Sequence, residues 1–244
     1  MTFRFLSFGA GVQTTALLLM DSYDEVVFAD TGGEKQQTYN YIQNVIIPFL
    51  HAKGTKFTVL RRKSRSHGTE SLEEFCLRTK NVPSIKYRWS TRDFKVLPIR
   101  KYIKKNYAPP VICAIGISTD EVTRANSKDP PEYHKIYPLI EQGLSRQDCV
   151  KVIQSHGWLV PPRSGCFYCP FNTRVQWNWL YLNDRPRYDR ATVMEANAKL
   201  RRPRLHLSSY ANNLAEQIKQ FNESLDSYPA EGIPDICESG YCMT

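Results

Sequence analysis

Cys166 and Cys169 lie in Ser164-Gly165-Cys166-Phe167-Tyr168-Cys169-Pro170-Phe171 with the spacing C-x-x-C. That spacing serves zinc, an iron–sulfur cluster or a redox dithiol, because a thiolate is both a soft ligand and a good nucleophile. Zinc needs two further ligands, and Cys237 and Cys242, spaced C-x4-C, supply them if the tail folds back. A reduced structural pair is the competing reading. A second signal is the turn Ser7-Phe8-Gly9-Ala10-Gly11-Val12-Gln13-Thr14-Thr15, which joins an apolar strand to a helix. Gly9 and Gly11 let backbone N–H groups approach an anion, the helix N-terminus adds positive charge, and Ser7, Thr14 and Thr15 add hydroxyls. The turn lacks the Gly-Lys-Ser/Thr ending of a Walker loop, and Thr14 stands where a dinucleotide fingerprint has its third glycine. A plain strand-to-helix connection competes with the phosphate-loop reading.

The elements that must hold these residues alternate. Phe3–Phe8, Glu25–Ala29, Lys56–Leu60 and Val111–Ile117 read as strands, and Val12–Met20, Gln36–Ala52 and Ser71–Leu77 as helices. Alternation of this kind implies a parallel sheet wound on both faces, with ligand groups gathered at the carboxyl ends of its strands. The turn Ser7–Thr15, the segment Asp30-Thr31-Gly32 and the segment Gly116–Arg124 all fall at such ends. After Pro161–Gly165 the pattern changes to helices at Val175–Leu182, Thr192–Leu200 and Ser209–Phe221, which places a soft boundary near residue 160. No low-complexity linker divides the chain, so the two parts are free to share a core.

Apolar residues make up 41% of the 244 and aromatics 12%, too many for a disordered chain. No apolar run near the start is long enough to span a membrane, and none has the form of an export signal, so a cytoplasmic protein without membrane attachment is expected. Seven cysteines in a reducing compartment argue against a disulfide framework, and Cys76, Cys113 and Cys149 read as buried small hydrophobes. The net charge is +9, and the excess is concentrated: Lys53 to Lys105 holds sixteen Lys/Arg against four Asp/Glu. Such a field favours a polyanionic partner, with a solvated basic face as the alternative. Trp177, Trp179, Tyr181 and Tyr188, interleaved with Arg185 and Arg187, suit either base stacking or a core. The five histidines have no ligand spacing.

Taken together, the segments resemble the adenine nucleotide α-hydrolase superfamily, which includes phosphoadenylyl-sulfate (PAPS) reductases, tRNA thiolation enzymes and other N-type ATP pyrophosphatases. Ser7–Thr15 is similar to its pyrophosphate loop, S-G-G-x-D-S/T, with Gln13 in the place of the acid. Phe28-Ala29-Asp30-Thr31-Gly32, with Thr38 beyond it, is similar to the family's D/N-T-G strand end. Arg88-Trp89-Ser90-Thr91-Arg92-Asp93-Phe94-Lys95-Val96-Leu97-Pro98 resembles R-x-C-T-x-x-Y/F-K-I-x-P, with Ser90 where the pattern has cysteine. Ile115-Gly116-Ile117-Ser118-Thr119-Asp120-Glu121-Val122-Thr123-Arg124 resembles G-I/L-x-x-D/E-E/Q-x-x-R. Tyr137–Ile140, Ser145–Cys149 and the C-x-x-C-P-F run look like a PAPS reductase-like group found in phages and in DNA phosphorothioation loci.

The resemblance implies a Rossmann-like, doubly wound, mainly parallel α/β sheet of the PP-loop ATPase (HUP) type in residues 1–160, with a helical, cysteine-containing extension in 161–244. It implies ATP and Mg²⁺ as ligands. Ser7, Phe8, Gly9, Gly11, Gln13, Thr14, Thr15, Asp30, Thr31, Gly32, Gly116, Asp120 and Glu121 would hold them, and Asp30, Lys95 and Arg124 would act in catalysis. Cys166 and Cys169 would hold two positions of a [4Fe–4S] cluster, with Zn²⁺ as the alternative, and Ser90 falls at the third. The activity implied is cleavage of ATP to AMP and pyrophosphate. It would activate an oxygen of a nucleic acid, DNA before tRNA, for sulfur supplied by a cysteine desulfurase. The alternatives are a PAPS or adenylyl-sulfate reductase releasing sulfite, although the chain lacks the E-C-G-x-H ending of those enzymes, and a non-catalytic nucleotide-binding subunit. The oligomeric state stays open.

Overall fold

A computed structural model describes residues 2–210 and 213–222. Its centre is a five-stranded sheet in the order β3-β2-β1-β6-β7, with every adjacent pair parallel. The elements run β1 (Phe3–Phe8), α1 (Val12–Met20), β2 (Glu25–Ala29), α2 (Gln36–Tyr41), a π-helical turn (Ile42–Ile46), α3 (Ile47–Ala52) and β3 (Lys56–Leu60). A small hairpin of β4 (Lys63–Ser64) and β5 (Gly68–Thr69) precedes α4 (Leu72–Thr79), α5 (Trp89–Thr91), a second π-helical turn (Arg92–Val96) and α6 (Leu97–Asn106). Then come β6 (Val111–Ile115), a 3₁₀ segment (Thr119–Asn126), β7 (His134–Ile136), α7 (Pro138–Glu141), α8 (Arg146–Ser155), α9 (Arg174–Asn183), α10 (Arg185–Lys199) and α11 (Leu214–Asn222).

The strand residues alternate between two cores, as the period of two requires. Leu6, Phe8, Val26 and Phe28 face α1, α8 and the helical stretch 36–52, joining Leu17, Ile46 and Ile153. Phe5, Val27, Ala29, Cys113 and Ile115 face α6, joining Ile99 and Ile103. The doubly wound α/β architecture expected from the sequence is therefore present. From the central β1 the chain builds outward in one direction through β2 and β3, then returns to β6 and β7 on the other side. The order reverses between β1 and β6, and in open α/β sheets ligands bind in the crevice beyond the carboxyl ends at such a reversal.

Both π-helical turns have a proline two residues past their end, Pro48 and Pro98. Proline cannot donate to the carbonyl four residues back, and its ring crowds that carbonyl. The backbone widens instead, and Ile47 and Leu97 donate five residues back to Ile42 and Arg92. The sequence pattern for 36–52 shows one uniform helix, and the structure inserts the wide turn within it. The helix over 97–106 has no counterpart in the sequence reading.

A third core joins the two parts of the chain. Leu72, Cys76, Val82 and Phe94 pack with Phe167, Tyr168, Trp177, Tyr188, Met194 and Leu214. Residues on both sides of position 160 thus share it. Trp177 and Tyr188 are core residues here, which removes them from the base-stacking candidates. Cys76, Cys113 and Cys149 are buried free thiols, and burial pushes all three up, Cys149 to about 12. Among the described residues no helix is long and apolar enough to cross a membrane.

Candidate functional site

The turn after β1 is built for close approach. Ala10 is buried with φ +57°, a left-handed conformation that costs a non-glycine residue about 1–2 kcal/mol. The resembled loop has glycine there. Gly11 caps α1 without a side chain, and its carbonyl accepts from Thr15 N (3.0 Å) and Thr14 Oγ1 (3.2 Å). The first turn of α1 contains no acid. The end of β6 runs directly against it: a Cβ on Gly116 would stand 2.7 Å from Thr14 Cγ2 and 2.9 Å from Thr14 N. Any side chain at 116 therefore requires the β1 turn to shift.

Beyond these strand ends lies a cleft of about 520 Å³, within the range of small-molecule sites. Ser7, Phe8, Gly9, Thr14 and Gly116 line it, together with Lys95 and Arg124. Seven of the residues singled out in the sequence thus meet in one place. Arg88, Arg100, Lys128 and Lys135 add positive charge, and Asp129 is the acid in the lining. Ala29, Ile99, Ile115 and Tyr133 form an apolar part of the wall. The segment that closes this side is itself tied down: Arg100 Nε donates to Glu132 (2.7 Å), and Lys135 Nζ donates to the carbonyls of Ser127 (2.6 Å) and Lys128 (2.8 Å).

Other singled-out residues sit elsewhere. Gln13 accepts from Arg146 Nη1 at 3.2 Å and is not in the lining. Thr15 is fully buried, and its hydroxyl has no hydrogen-bond partner among the described residues. Asp120 accepts from the backbone N–H of Arg146 (2.5 Å) and from Ser118 Oγ (3.3 Å). Glu121 pairs with Arg124, and burial raises its carboxyl above the ordinary value despite that partner. Asp30 is buried outside the cleft lining. Its carboxylate accepts from Gly32 N (2.8 Å), Tyr39 Oη (2.7 Å) and Arg61 Nε (2.8 Å), so it pins the turn after β2. Gly32 supplies the positive φ (+75°) of that turn. Arg92 points outward and pairs with Asp93, whereas Arg88, from the same segment, is in the lining.

The segment after β2 meets the cysteine loop instead. Thr31 Oγ1 lies 3.0 Å from Cys166 Sγ and accepts from Gly33 N at 3.3 Å. Phe167 N donates to Gly33 O (2.8 Å), Gly165 N donates to Glu34 Oε2 (2.7 Å), and Glu34 and Cys166 form an isolated antiparallel bridge. Gly33 lies flat against Tyr168, whose Oη would be 2.2 Å from any Cβ there. Cys166 and Cys169 face a small cavity of about 60 Å³ whose lining includes Thr31, Ser90, Arg88 and Lys95. Ser90 therefore does share a pocket with the two thiols. Arg88 and Lys95 line this pocket and the larger cleft alike, so the two cavities adjoin.

The donor set can be compared with the metal groups expected from sequence. Among the described residues no three of His, Cys, Asp and Glu converge as metal ligands. Among the described residues the pocket offers two thiols and the hard hydroxyls of Thr31, Ser84, Ser90 and Thr91, short of the three or four soft ligands that a [4Fe–4S] cluster or structural zinc takes. Cys237 and Cys242 lie outside the described residues. Glu34, absent from every sequence motif considered, emerges only from the fold. It is 1% exposed, and its other oxygen stands 3.6 Å from Lys95 Nζ.

The fold and the site define an α/β protein with a cationic cleft at the reversal point of its sheet and a dithiol pocket beside it. No family model matches the chain. An uncharacterized protein of Methanocaldococcus jannaschii is 30% identical over 109 residues, covering 43% of this chain and 19% of that relative, so the match spans about a fifth of the relative's length. A crystal structure of phosphoadenylyl-sulfate (PAPS) reductase from Candida auris, in its phosphate complex, is similar with a TM-score of 0.49 and 16% identity, covering 66% of this chain and 76% of that one.

Proposed function

We propose that the protein is an ATP pyrophosphatase of the PAPS reductase-like group. On this reading it cleaves ATP to AMP and pyrophosphate to adenylylate an oxygen of a nucleic acid, DNA before tRNA, for replacement by sulfur. The observation that carries the reading is the shared wall: Arg88 and Lys95 line both the cationic cleft and the pocket of Cys166 and Cys169. A reaction that activates an atom with a nucleotide and then delivers sulfur to it needs two such sites side by side.

The pyrophosphate end of ATP belongs against the turn Ser7–Gly9 and Thr14, where backbone N–H groups and the α1 N-terminus oppose negative charge. Lys95 and Arg124 neutralise the charge that grows on the leaving pyrophosphate, and fixed cations in a confined cleft need little reorganisation to do so. The base fits the apolar wall of Ile99, Ile115 and Tyr133. Mg²⁺ arrives with the triphosphate, whose charge it shares, because Asp30 is engaged by Tyr39 and Arg61 and the cleft lining offers the single acid Asp129. The basic segment 53–105 receives the polyanion, and a cysteine desulfurase supplies sulfur to the dithiol pocket. No step is assigned to an iron–sulfur cluster, which the described donor set does not complete.

The test is a product assay under anaerobic conditions with ATP labelled at the α-phosphate, Mg²⁺, and DNA, tRNA or no polymer. AMP with pyrophosphate is the expected outcome, raised by one polymer, and Cys166→Ser is expected to abolish sulfur insertion while leaving ATP binding intact. ADP as product would overturn the reading. Sulfite release from PAPS with thioredoxin would assign a reductase, and ATP binding without turnover a non-catalytic subunit.

A further inference from the structure

Glu34 is a buried carboxylate that bridges Lys95, in the wall of both cavities, and Gly165, in the loop of the dithiol pocket. Oε1 faces Lys95 Nζ at 3.6 Å, and Lys95 lines the cationic cleft. Oε2 accepts from the N–H of Gly165, one residue before Cys166, at 2.7 Å. A buried carboxylate is tolerated only while it is paired and hydrogen-bonded, and loss of one partner is strongly unfavourable in such sites. Among the described residues, Lys95 drawn fully onto a phosphate would leave the Glu34 carboxylate with the Gly165 N–H as its hydrogen-bond donor. The loop that Glu34 holds has little slack. Gly165 is at φ +145°, a conformation reserved for glycine, Phe167 N is bonded to Gly33 O, and Thr31 Oγ1 touches Cys166 Sγ at 3.0 Å.

We infer that Glu34 is a positioning residue that couples the two cavities: an anion in the cleft competes with Glu34 for Lys95, and the same carboxylate seats the Cys166 loop through Gly165. The ligand that drives the coupling is the polyphosphate of a nucleotide, so the inference rests on the nucleotide reading of the cleft. Two consequences follow from linkage. A nucleotide that takes Lys95 leaves the Glu34 carboxylate unpaired beside a phosphate, and the repulsion displaces the carboxylate, which loosens its hold on Gly165 and changes the access of reagents to Cys166. By linkage, a modification of the thiols that unseats the loop must in turn change nucleotide affinity. Functionally, the thiols become available when the nucleotide is in place, which orders activation before sulfur delivery.

Glu34→Gln tests this directly, because the amide oxygen still accepts from Gly165 N–H while the charge opposing Lys95 is gone. The full chain is titrated with α,β-methylene-ATP, which cannot be cleaved between those phosphates. Cys166 alkylation by iodoacetamide is followed at one pH by peptide mass spectrometry, with and without the nucleotide. In the wild type the nucleotide is expected to raise the Cys166 alkylation rate about fivefold, a typical coupling. In Glu34→Gln the nucleotide binds more tightly than in the wild type and its effect on alkylation is lost. A purely structural glutamate would give the opposite sign, weaker binding. Equal affinity and equal nucleotide dependence in the two proteins would overturn the inference while leaving the cleft a nucleotide site. Failure of the wild type to bind the nucleotide would remove both readings. If Glu34→Gln does not fold, the reciprocal experiment decides in the wild type: blocking the thiols with methyl methanethiosulfonate must change nucleotide affinity, and unchanged affinity overturns the coupling.

Discussion

Two buried glutamates, each beside a lysine, mark opposite ends of the same sheet. Glu25, at the start of β2, is fully buried and accepts from Thr58 Oγ1, Tyr107 Oη and Tyr102 Oη (2.7 Å), with Lys56 Nζ at 3.2 Å. Glu34, beyond the end of β2, has Lys95 at 3.6 Å and the N–H of Gly165 at 2.7 Å. The residue pair is the same and the surroundings differ. Around Glu25 the donors come from β3 and the end of α6 and close over the charge. Around Glu34 the lysine is part of the wall of two cavities. A buried charge surrounded by donors does structural work, whereas one whose counter-ion also faces a cavity can exchange that partner for a ligand. Burial alone does not separate the two cases. The position of the partner does.

The sharpest test of that contrast is to remove the charge at each end. Lys95→Ala is expected to lower AMP and pyrophosphate formation about 100-fold or more, the scale of losing a preorganised charge at a reacting phosphate, and to lower thermal stability as well, because it leaves the buried Glu34 without its counter-ion. Glu25→Ala is expected to cost stability alone. Three hydroxyls lose their acceptor, and unfolding by urea should report a loss of about 3 kcal/mol, with nucleotide affinity of the folded protein unchanged. A drop in turnover without a stability change in Glu25→Ala would break the comparison. Gly116→Ala is the next largest effect expected: its Cβ would meet Thr14 N at 2.9 Å, so the β1 turn must shift and nucleotide affinity should fall about tenfold by calorimetry.

Much of this frame is visible in the chain before folding. The apolar strands β1, β2 and β6, the glycine turn after β1 and the close approach at Gly116 follow from local residue types, because local sterics and period-two burial produce them. The meeting of Ser7, Thr14, Gly116 and Arg124 follows from placing strand ends together, and Lys95 joins them in the expectation only through the resemblance of its segment. What stays hidden depends on partners distant in sequence. Asp30 belongs to a strand-end motif that suggests nucleotide contact, yet Tyr39 and Arg61 arrive from α2 and the chain after β3 and take its carboxylate. Thr31, from the same motif, turns to Cys166, 135 residues away. Glu34 has no neighbours in sequence that announce a role, since Lys95 and Gly165 reach it only through the packing of the third core. Arg88 lines the site and Arg92 faces outward because the helical start at residues 89–91 and the π-helical turn that follows set which face looks inward, and a proline-driven widening leaves no periodic signal.

The smallest expected effect concerns acid stability and sharpens the comparison from the structural end. Burial pushes the Glu25 carboxyl upward, but the hydrogen bonds from Thr58, Tyr107, Tyr102 and Lys56 together hold it below the ordinary carboxylate value. A group whose value is lowered on folding contributes stability that is fully present above its unfolded value and is lost as the pH falls through the folded one. Glu25 therefore contributes at neutral pH and ceases to do so in acid, below the range where a free glutamate titrates. Glu25→Gln removes the titration but keeps an acceptor for the hydroxyls. Urea unfolding of the variant should show a shallower fall in stability on acidification than the wild type, with the two curves approaching each other at the acidic end. Parallel curves would mean that Glu25 does not titrate differently in the folded state, and the network around it would then be one of shape and hydrogen bonding with no net hold on the charge.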